Sequence, residues 1–482
     1  MKGASMTPHF TPGESTDVTV SHGSVQWAVG QGFFHSAWVN ADTRTTHYVY
    51  DCGSMSNPDR LASEIDTFAD GYDHAVEDRG AGESLPPIQT LLFISHFDAD
   101  HINGLPRLFS RVSFDHIYIP LLSPAARLLS YVQSLVSTPS TASQDAAEFD
   151  AFHRRLTIDP RGTLSEFGTV TTIGVGDQWS DDEQASWDDD QTPYDADSPV
   201  ISMTWDGHTR GPKLVVPPGQ GSESARALDL WVWKNYVLSE VNEHRAQWLT
   251  SLHAALHDIL PAAMSPADLD RHLRKATVIE YFIDHHVDKL KAAYLDCVAT
   301  VGTKVGKMNL TSLSVYAGPP SSLPLHACVN MGFSGVSCHS CQTKIMEGQP
   351  PRHHIGHHSN PQGAKTQAIQ GWLGLGDQDL STTPREREIV GVFQRFARRI
   401  GIVALPHHGA TSSRHPALLR DLVGEEHPVT CVVSSKPTYH NWGHPSIATR
   451  TDVANHGSHL ACVNDTSDTR WLTYGSYRIA VG

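Results

Sequence analysis

The stretch LLFISHFDADHINGL, residues 91–105, sets His96, Asp98, Asp100 and His101 within six positions, directly after an apolar run. Imidazole nitrogens and carboxylate oxygens crowded in this way form a donor set for a divalent cation such as zinc or manganese. Taken alone, the same letters also describe a polar turn, with aspartates capping a helix and histidines facing solvent. Three later stretches repeat the pattern of polar residues where an apolar run stops. GLGDQDL carries Asp377, LPHHG carries His407 and His408, and NWGHPS carries His444.

Such donors converge only if strands deliver them to one edge of a sheet. TLLFI reads as a buried strand before the first cluster, and the residues from about Asn103 read as a helix. Upstream, DVTVSHGS, WAVGQGFFHSAWVN and THYVYDCGS alternate like a β-meander across residues 16–53. DRLASEIDTFAD has Leu61, Ile65 and Phe68 at the i, i+4, i+7 spacing of an amphipathic helix. DHIYIP predicts a strand over 115–120. Strand signals return at NLTSLSVYAG and IQGWLGLGDQDL, and again at VTCVVSS. TTPREREIVGVFQRFARRI predicts a helix, with Thr383 as cap and Pro384 in the first turn. Its Arg385, Arg387, Arg395, Arg398 and Arg399 give a locally basic segment that either meets phosphate or is merely solvated.

Between these halves, residues 121–306 read as a mainly helical insertion. It includes LDLWVWKNYVLSEVNEHRAQWLTSLHAALHDIL and an acidic loop at 181–197 with the composition of a solvated segment. The predicted organisation is therefore a first half over 1–120, the insertion over 121–306, and a second half over 307–482. Within the second half, residues 319–362 form a Cys/His-rich insertion.

Of the 482 residues, 39% are hydrophobic and 18% charged, ordinary for a globular protein, and no run approaches the length of a membrane span. No apolar targeting segment stands near the N-terminus, so the cytoplasm is the expected location and no membrane partner is expected. Seven cysteines, an odd number, do not suggest a disulfide framework. A net charge of -16 argues against a protein that coats nucleic acid non-specifically, so any polyanion would have to be met by a local basic groove or by metal ions.

The ordered set HFDADH, NLTSLSV, GD, HHG and GHP resembles the metallo-β-lactamase superfamily, and within it the soluble hydrolase domain of the ComEC DNA-uptake family. The resemblance covers roughly residues 17–120 and 307–482. It implies an αββα sandwich and a binuclear metal-dependent hydrolase. One metal would be held by Asp100, His101, Asp377 and His407, and the other by His96, Asp98 and Asp377. Asp51, in VYDCGS, would steady the ligand loop. His408 and His444 would contact substrate or protonate a leaving group, although the His407–His408 doublet does not itself say which imidazole is the ligand. The superfamily's third-motif histidine has no counterpart here, which implies a weakly held second metal.

A metal pair lowers the pKa of water and neutralises charge on a phosphoryl or acyl centre. The implied substrate is a phosphodiester, such as single-stranded nucleic acid or a nucleotide. A small lactone or thioester is the enzymatic alternative, and a metal-stabilised interaction module the non-catalytic one. Elsewhere, Cys338, Cys341, His354 and His358 match C-x2-C-x12-H-x3-H and suggest an additional structural zinc, against a plain His-rich surface loop. Pro350 and Pro351 disfavour a DNA-reading finger there. His285 and His286 in IDHHVDKL are similar to the DHH phosphoesterase signature, but they sit in a helical pattern without its companion motifs.

Overall fold

The structure, a computed structural model, describes residues 16–42, 44–80, 88–137, 144–174, 179–180, 201–205, 213–215, 228–238, 243–301, 312–322, 371–436 and 443–481. Among them, β1 (Thr16–Gln26), β2 (Phe34–Ala41), β3 (Arg44–Cys52), β4 (Gln89–Phe93), β5 (His116–Pro120), β6 (Thr169–Ile173) and β7 (Trp179–Ser180) build one mixed sheet. The final strand, β16 (Trp471–Val481), completes it in the order β16-β1-β2-β3-β4-β5-β6-β7. The second sheet takes β8 (Ile201–Trp205), β9 (Lys213–Val215), β10 (Leu228–Tyr236), β11 (Ser314–Gly318), β12 (Gly371–Gly374), β13 (Ile400–Ala404), β14 (Thr430–Ser434) and β15 (His459–Val463). Its order is β15-β14-β13-β12-β11-β10-β8-β9. β3 to β6 run parallel in the first sheet, and β12 to β15 in the second.

The alternation within each strand makes this a layered α/β sandwich. Leu91 and Phe93 of β4, Tyr48 and Tyr50 of β3, and Ile402 and Ala404 of β13 all enter one buried cluster shared by the two sheets. The residues between them point outward. Leu92 and Val49 pack on Leu61, Ile65 and Phe68 of α1 (Pro58–Gly80), the apolar stripe expected from the sequence. Val403 and Cys431 pack on Ile389, Val392 and Phe393 of the helix Thr383–Phe393. Two hydroxyls stitch the sheets directly: Tyr50 donates to the Leu313 carbonyl at 2.6 Å and Tyr477 to that of Leu230 at 2.5 Å. Arg470 of the C-terminal segment makes two bonds to the buried Glu64 of α1, tying that segment to the outer helix.

The segment 121–306 is more than a helical insertion. It supplies β6 to β10, which extend both sheets, and LDLWVWKNY is strand β10 rather than the start of a helix. Alternation explains the difference: Leu230, Trp231 and Trp233 enter the inter-sheet core while Val232 and Tyr236 face the outer layer, a period of two with a bulge between Asp229 and Trp231. The helical part is nonetheless real. After the short α2 (Ala99–Ile102) and α3 (Leu105–Arg111), α4 (Pro124–Ser137) is followed by α5 (Gln144–Ile158) and α6 (Pro160–Ser165). α4 then packs with α7 (Glu243–Ala255), α8 (Pro266–Leu273) and α9 (Ala276–Val301) around their own buried cluster, with Trp248 donating to the Ala125 carbonyl. The acidic loop lies outside the described residues.

The helix at 383–393 is capped by Thr382 rather than Thr383. It also presents no uniform basic face. Arg385 is buried in an ion pair with Asp379 at 2.7 Å, and Arg399 is buried too, leaving Arg387, Arg395 and Arg398 exposed. No helix among the described residues is long and apolar enough to cross a membrane.

Candidate metal centre

The carboxyl ends of β3, β4, β12 and β13 meet at one edge of the sandwich, where parallel strands leave a crevice. Asp51 ends β3, the 95–101 segment follows β4, Asp377 follows β12, and the 407–408 doublet follows β13. The turns are tight. Asp51, His407 and His408 all have positive φ, at 56°, 48° and 54°, a conformation that costs an L-residue roughly 1–2 kcal/mol and persists only where surrounding contacts enforce it. Gly376 (φ 55°) carries the chain into Asp377, and a Cβ there would lie 2.1 Å from the Ser312 hydroxyl oxygen.

Asp377 sits between two pairs of imidazoles. Its Oδ1 is 3.2 Å from Nε2 of His101 and 4.0 Å from Nε2 of His408. Its Oδ2 is 3.8 Å from Nε2 of His96 and 3.9 Å from Nε2 of His407. Asp100 completes the first side, with Oδ2 3.2 Å from His408 Nε2 and 3.9 Å from His101 Nε2. Asp98 joins the second, 3.9 Å from His96 Nε2.

The other nitrogen of each ring is already engaged. Nδ1 of His101 meets Asp51 at 2.8 Å, and that of His408 donates to the Ser434 carbonyl at 2.8 Å. Nδ1 of His96 meets the Ser95 hydroxyl at 2.8 Å, and that of His407 the Ser413 hydroxyl at 2.9 Å. Partners on Nδ1 hold all four rings with Nε2 inward, the arrangement that outer hydrogen bonds impose on metal-binding histidines. Nε2 of His96 is buried with no hydrogen-bond partner, and carboxylate oxygens of Asp377 and Asp98 lie 3.8 and 3.9 Å from it.

These donors fit divalent cations: Asp100, His101, Asp377 and His408 offer one atom each within 4.8 Å of one another, as do His96, Asp98 and Asp100. His408, expected at the substrate, thus falls inside the first donor group. His407, expected as that group's ligand, turns toward the Oδ2 side instead. The reason is local: successive residues in the left-handed turn send their rings apart, with centroids 6.1 Å apart and planes at 71°.

Charge follows this geometry. Burial opposes ionisation of Asp377, yet His101, His407 and His408 hold it well below the ordinary 3.8. Asp100, also resisted by burial, is brought down to about 2 by His101 and its bond to His408. Burial lowers His101, but Asp377, Asp100 and Asp51 outweigh it and leave the ring well above 6.5, and His408 is raised against burial by Asp377 and Asp100. His96 is lowered by burial and by His101. Divalent cations would replace the protons that the raised imidazoles hold.

His444 stands beside the group, its ring centroid 6.2 Å from that of His407, and burial with His408 and His407 lowers it to about 4. Its loop is pinned to the doublet: Ser446 N–H and the Thr449 hydroxyl both donate to the Gly409 carbonyl. Behind the same turn lies a cavity of about 520 Å³ lined by Arg414, His415, Arg420, Glu425, Asp452 and His456 among others. None of the donors lines it, so it is not the pocket of this centre.

Ser95, Ser312, Ser413 and Ser434 carry much of the ring positioning and were not singled out by spacing. Ser95 binds Asp51 through both its N–H and its hydroxyl, while Ser312 accepts from Asp377 N–H. Ser312 lies within the NLTSLSV motif, which is the one sequence signal for this group. His285 and His286 lie on α9 and enter neither donor group. Cys338, Cys341, His354 and His358 lie outside the described residues. No protein-family model matches the chain, and no curated protein matches it.

Proposed function

We propose that the protein is a binuclear metal-dependent hydrolase of metallo-β-lactamase fold, acting on a phosphodiester such as single-stranded nucleic acid or a nucleotide. The observation that carries this reading is the division of Asp377, with each carboxylate oxygen facing its own pair of inward-turned imidazoles. The two face-to-face mixed sheets with outer helices, and the site at the carboxyl ends of their strands, support the fold assignment.

Asp100, His101, His408 and Asp377 Oδ1 would hold one cation; His96, Asp98, His407 and Asp377 Oδ2 would hold the other. Such a pair, zinc or manganese, supplies Lewis acidity and a water acidic enough to attack at neutral pH. The chain's own part is to orient and to exclude. Asp51 fixes His101 in one tautomer, the Ser434 carbonyl does so for His408, and the buried positions of both rings keep bulk water away. With its pKa near 4, His444 is neutral at pH 7, suited to donate an N–H hydrogen bond to a phosphoryl oxygen. The free thiols of Cys52, Cys297, Cys431 and Cys462 accord with a cytoplasmic setting.

The test is elemental analysis of the purified protein, followed by a screen of phosphodiesters, single-stranded nucleic acid, lactones and thioesters with zinc and with manganese. Two equivalents of metal and phosphodiester turnover abolished by Asp377→Ala are expected. Turnover of lactones or thioesters alone would move the substrate to the acyl class. Metal without hydrolysis of any ester would leave a binding module.

A further inference from the structure

The second half-site has a feature that the strand-end motifs do not contain. Asp98 is buried, and both of its carboxylate oxygens are held by one face of α4: the Ser130 hydroxyl donates to Oδ1 at 2.8 Å and the Gln133 amide to Oδ2 at 3.1 Å. The two residues are three apart on the helix and so lie on one face. Neither bond replaces a metal bond, because each carboxylate oxygen has two acceptor directions. Oδ2 still lies 3.9 Å from His96 Nε2, whose buried nitrogen has no hydrogen-bond partner.

α4 is itself fastened from behind. It shares a buried cluster with α7, α8 and α9, and Trp248 of α7 donates to the Ala125 carbonyl at its start. The place of Asp98 is therefore set by the helical unit, whereas Asp377, His96 and His407 are set by the strand ends. We infer that Ser130 and Gln133 are positioning residues for the second cation, so that the helical unit governs how tightly the Asp98 half-site is filled while the Asp100 half-site is independent of it.

This rests on the binuclear reading above, and manganese uptake separates the two. Outer hydrogen-bond partners of metal ligands are typically worth 10–100-fold in affinity. Equilibrium dialysis of the wild-type protein against manganese should give two equivalents. Ser130→Ala with Gln133→Leu should leave the tighter equivalent unchanged and weaken the second by roughly 10–100-fold, while Ser130→Thr, which keeps the hydroxyl, retains it. Should the double variant fail to fold by circular dichroism, Gln133→Leu alone, at a half-buried position, should show the same selective loss at smaller size. Two unchanged equivalents in a folded variant, or equal weakening of both, would overturn the inference and leave the binuclear reading intact. Fewer than two equivalents in the wild-type protein would overturn both.

Discussion

In the proposed binuclear site Asp377 is the residue on which both half-sites depend, and its neighbours divide by the direction of their pKa shifts. Against burial, the surrounding carboxylates raise the pKa of His101 and of His408, while burial lowers that of His96 and of His444. Cations must displace the protons these raised rings carry, so loading should release protons at pH 7 and affinity should rise with pH. Calorimetry in buffers of different ionisation heat measures this release, and a value near zero would contradict the raised imidazoles. His408→Ala should lose the tighter cation, whereas His444→Ala should keep both. If the neutral His444 ring donates a hydrogen bond to the leaving oxygen, that variant should slow a nucleoside-releasing phosphodiester by ~10²- to 10⁴-fold and a nitrophenyl ester far less. Equal slowing would make it a positioning group instead.

At the scale of elements, the turns do what the strands cannot. β12 ends in Gly374, and two residues later Gly376 reverses the backbone with φ 55° so that Asp377 faces across to His101. Gly376→Ala imposes both a left-handed alanine and a Cβ against the Ser312 oxygen. It should cost at least about 1 kcal/mol in urea unfolding and reduce metal uptake as well, because Ser312 accepts from Asp377 N–H. Unchanged stability and metal content would show that the turn can relax without moving the carboxylate. The doublet turn after β13 is a second case: its two left-handed histidines are tolerated because Ser413, Ser434 and Gly376 engage their side chains and backbone.

Across the whole molecule, the core between the sheets buries His22 and His35, whose pKa values burial lowers. His35 stacks on Trp372 with centroids 4.2 Å apart, neither ring nitrogen has a hydrogen-bond partner, and burial lowers it to about 3. A histidine whose folded pKa is depressed contributes stability above its unfolded value of 6.5, and that contribution is lost as pH falls toward 3. His35→Phe keeps an aromatic stack without the titrating group. Its stability relative to the wild-type protein should therefore increase by up to ~1.4 kcal/mol per pH unit as pH falls below 6.5. Denaturant titrations at pH 7 and pH 5 give the comparison, and a pH-independent difference would mean that His35 is not neutral and buried in solution.

The residue types that meet at the centre were legible from sequence because each sits where an apolar run stops, and hydrophobic alternation requires such runs to be buried strands with polar ends. For the same reason the β-meander, α1 and the strand at 116–120 follow from pattern alone. Strand β10 did not, because both of its faces are buried and the bulge between Asp229 and Trp231 interrupts the alternation that would mark it as a strand. The choice between His407 and His408 was likewise beyond the letters: adjacent identical side chains differ only in the φ and ψ that the turn imposes, and tertiary contacts to Ser413 and Ser434 set those. Ser130 and Gln133 lie more than thirty residues from Asp98 on an otherwise ordinary amphipathic helix. Local patterning specifies what each element buries, but which polar groups meet across elements is decided only when the layers pack.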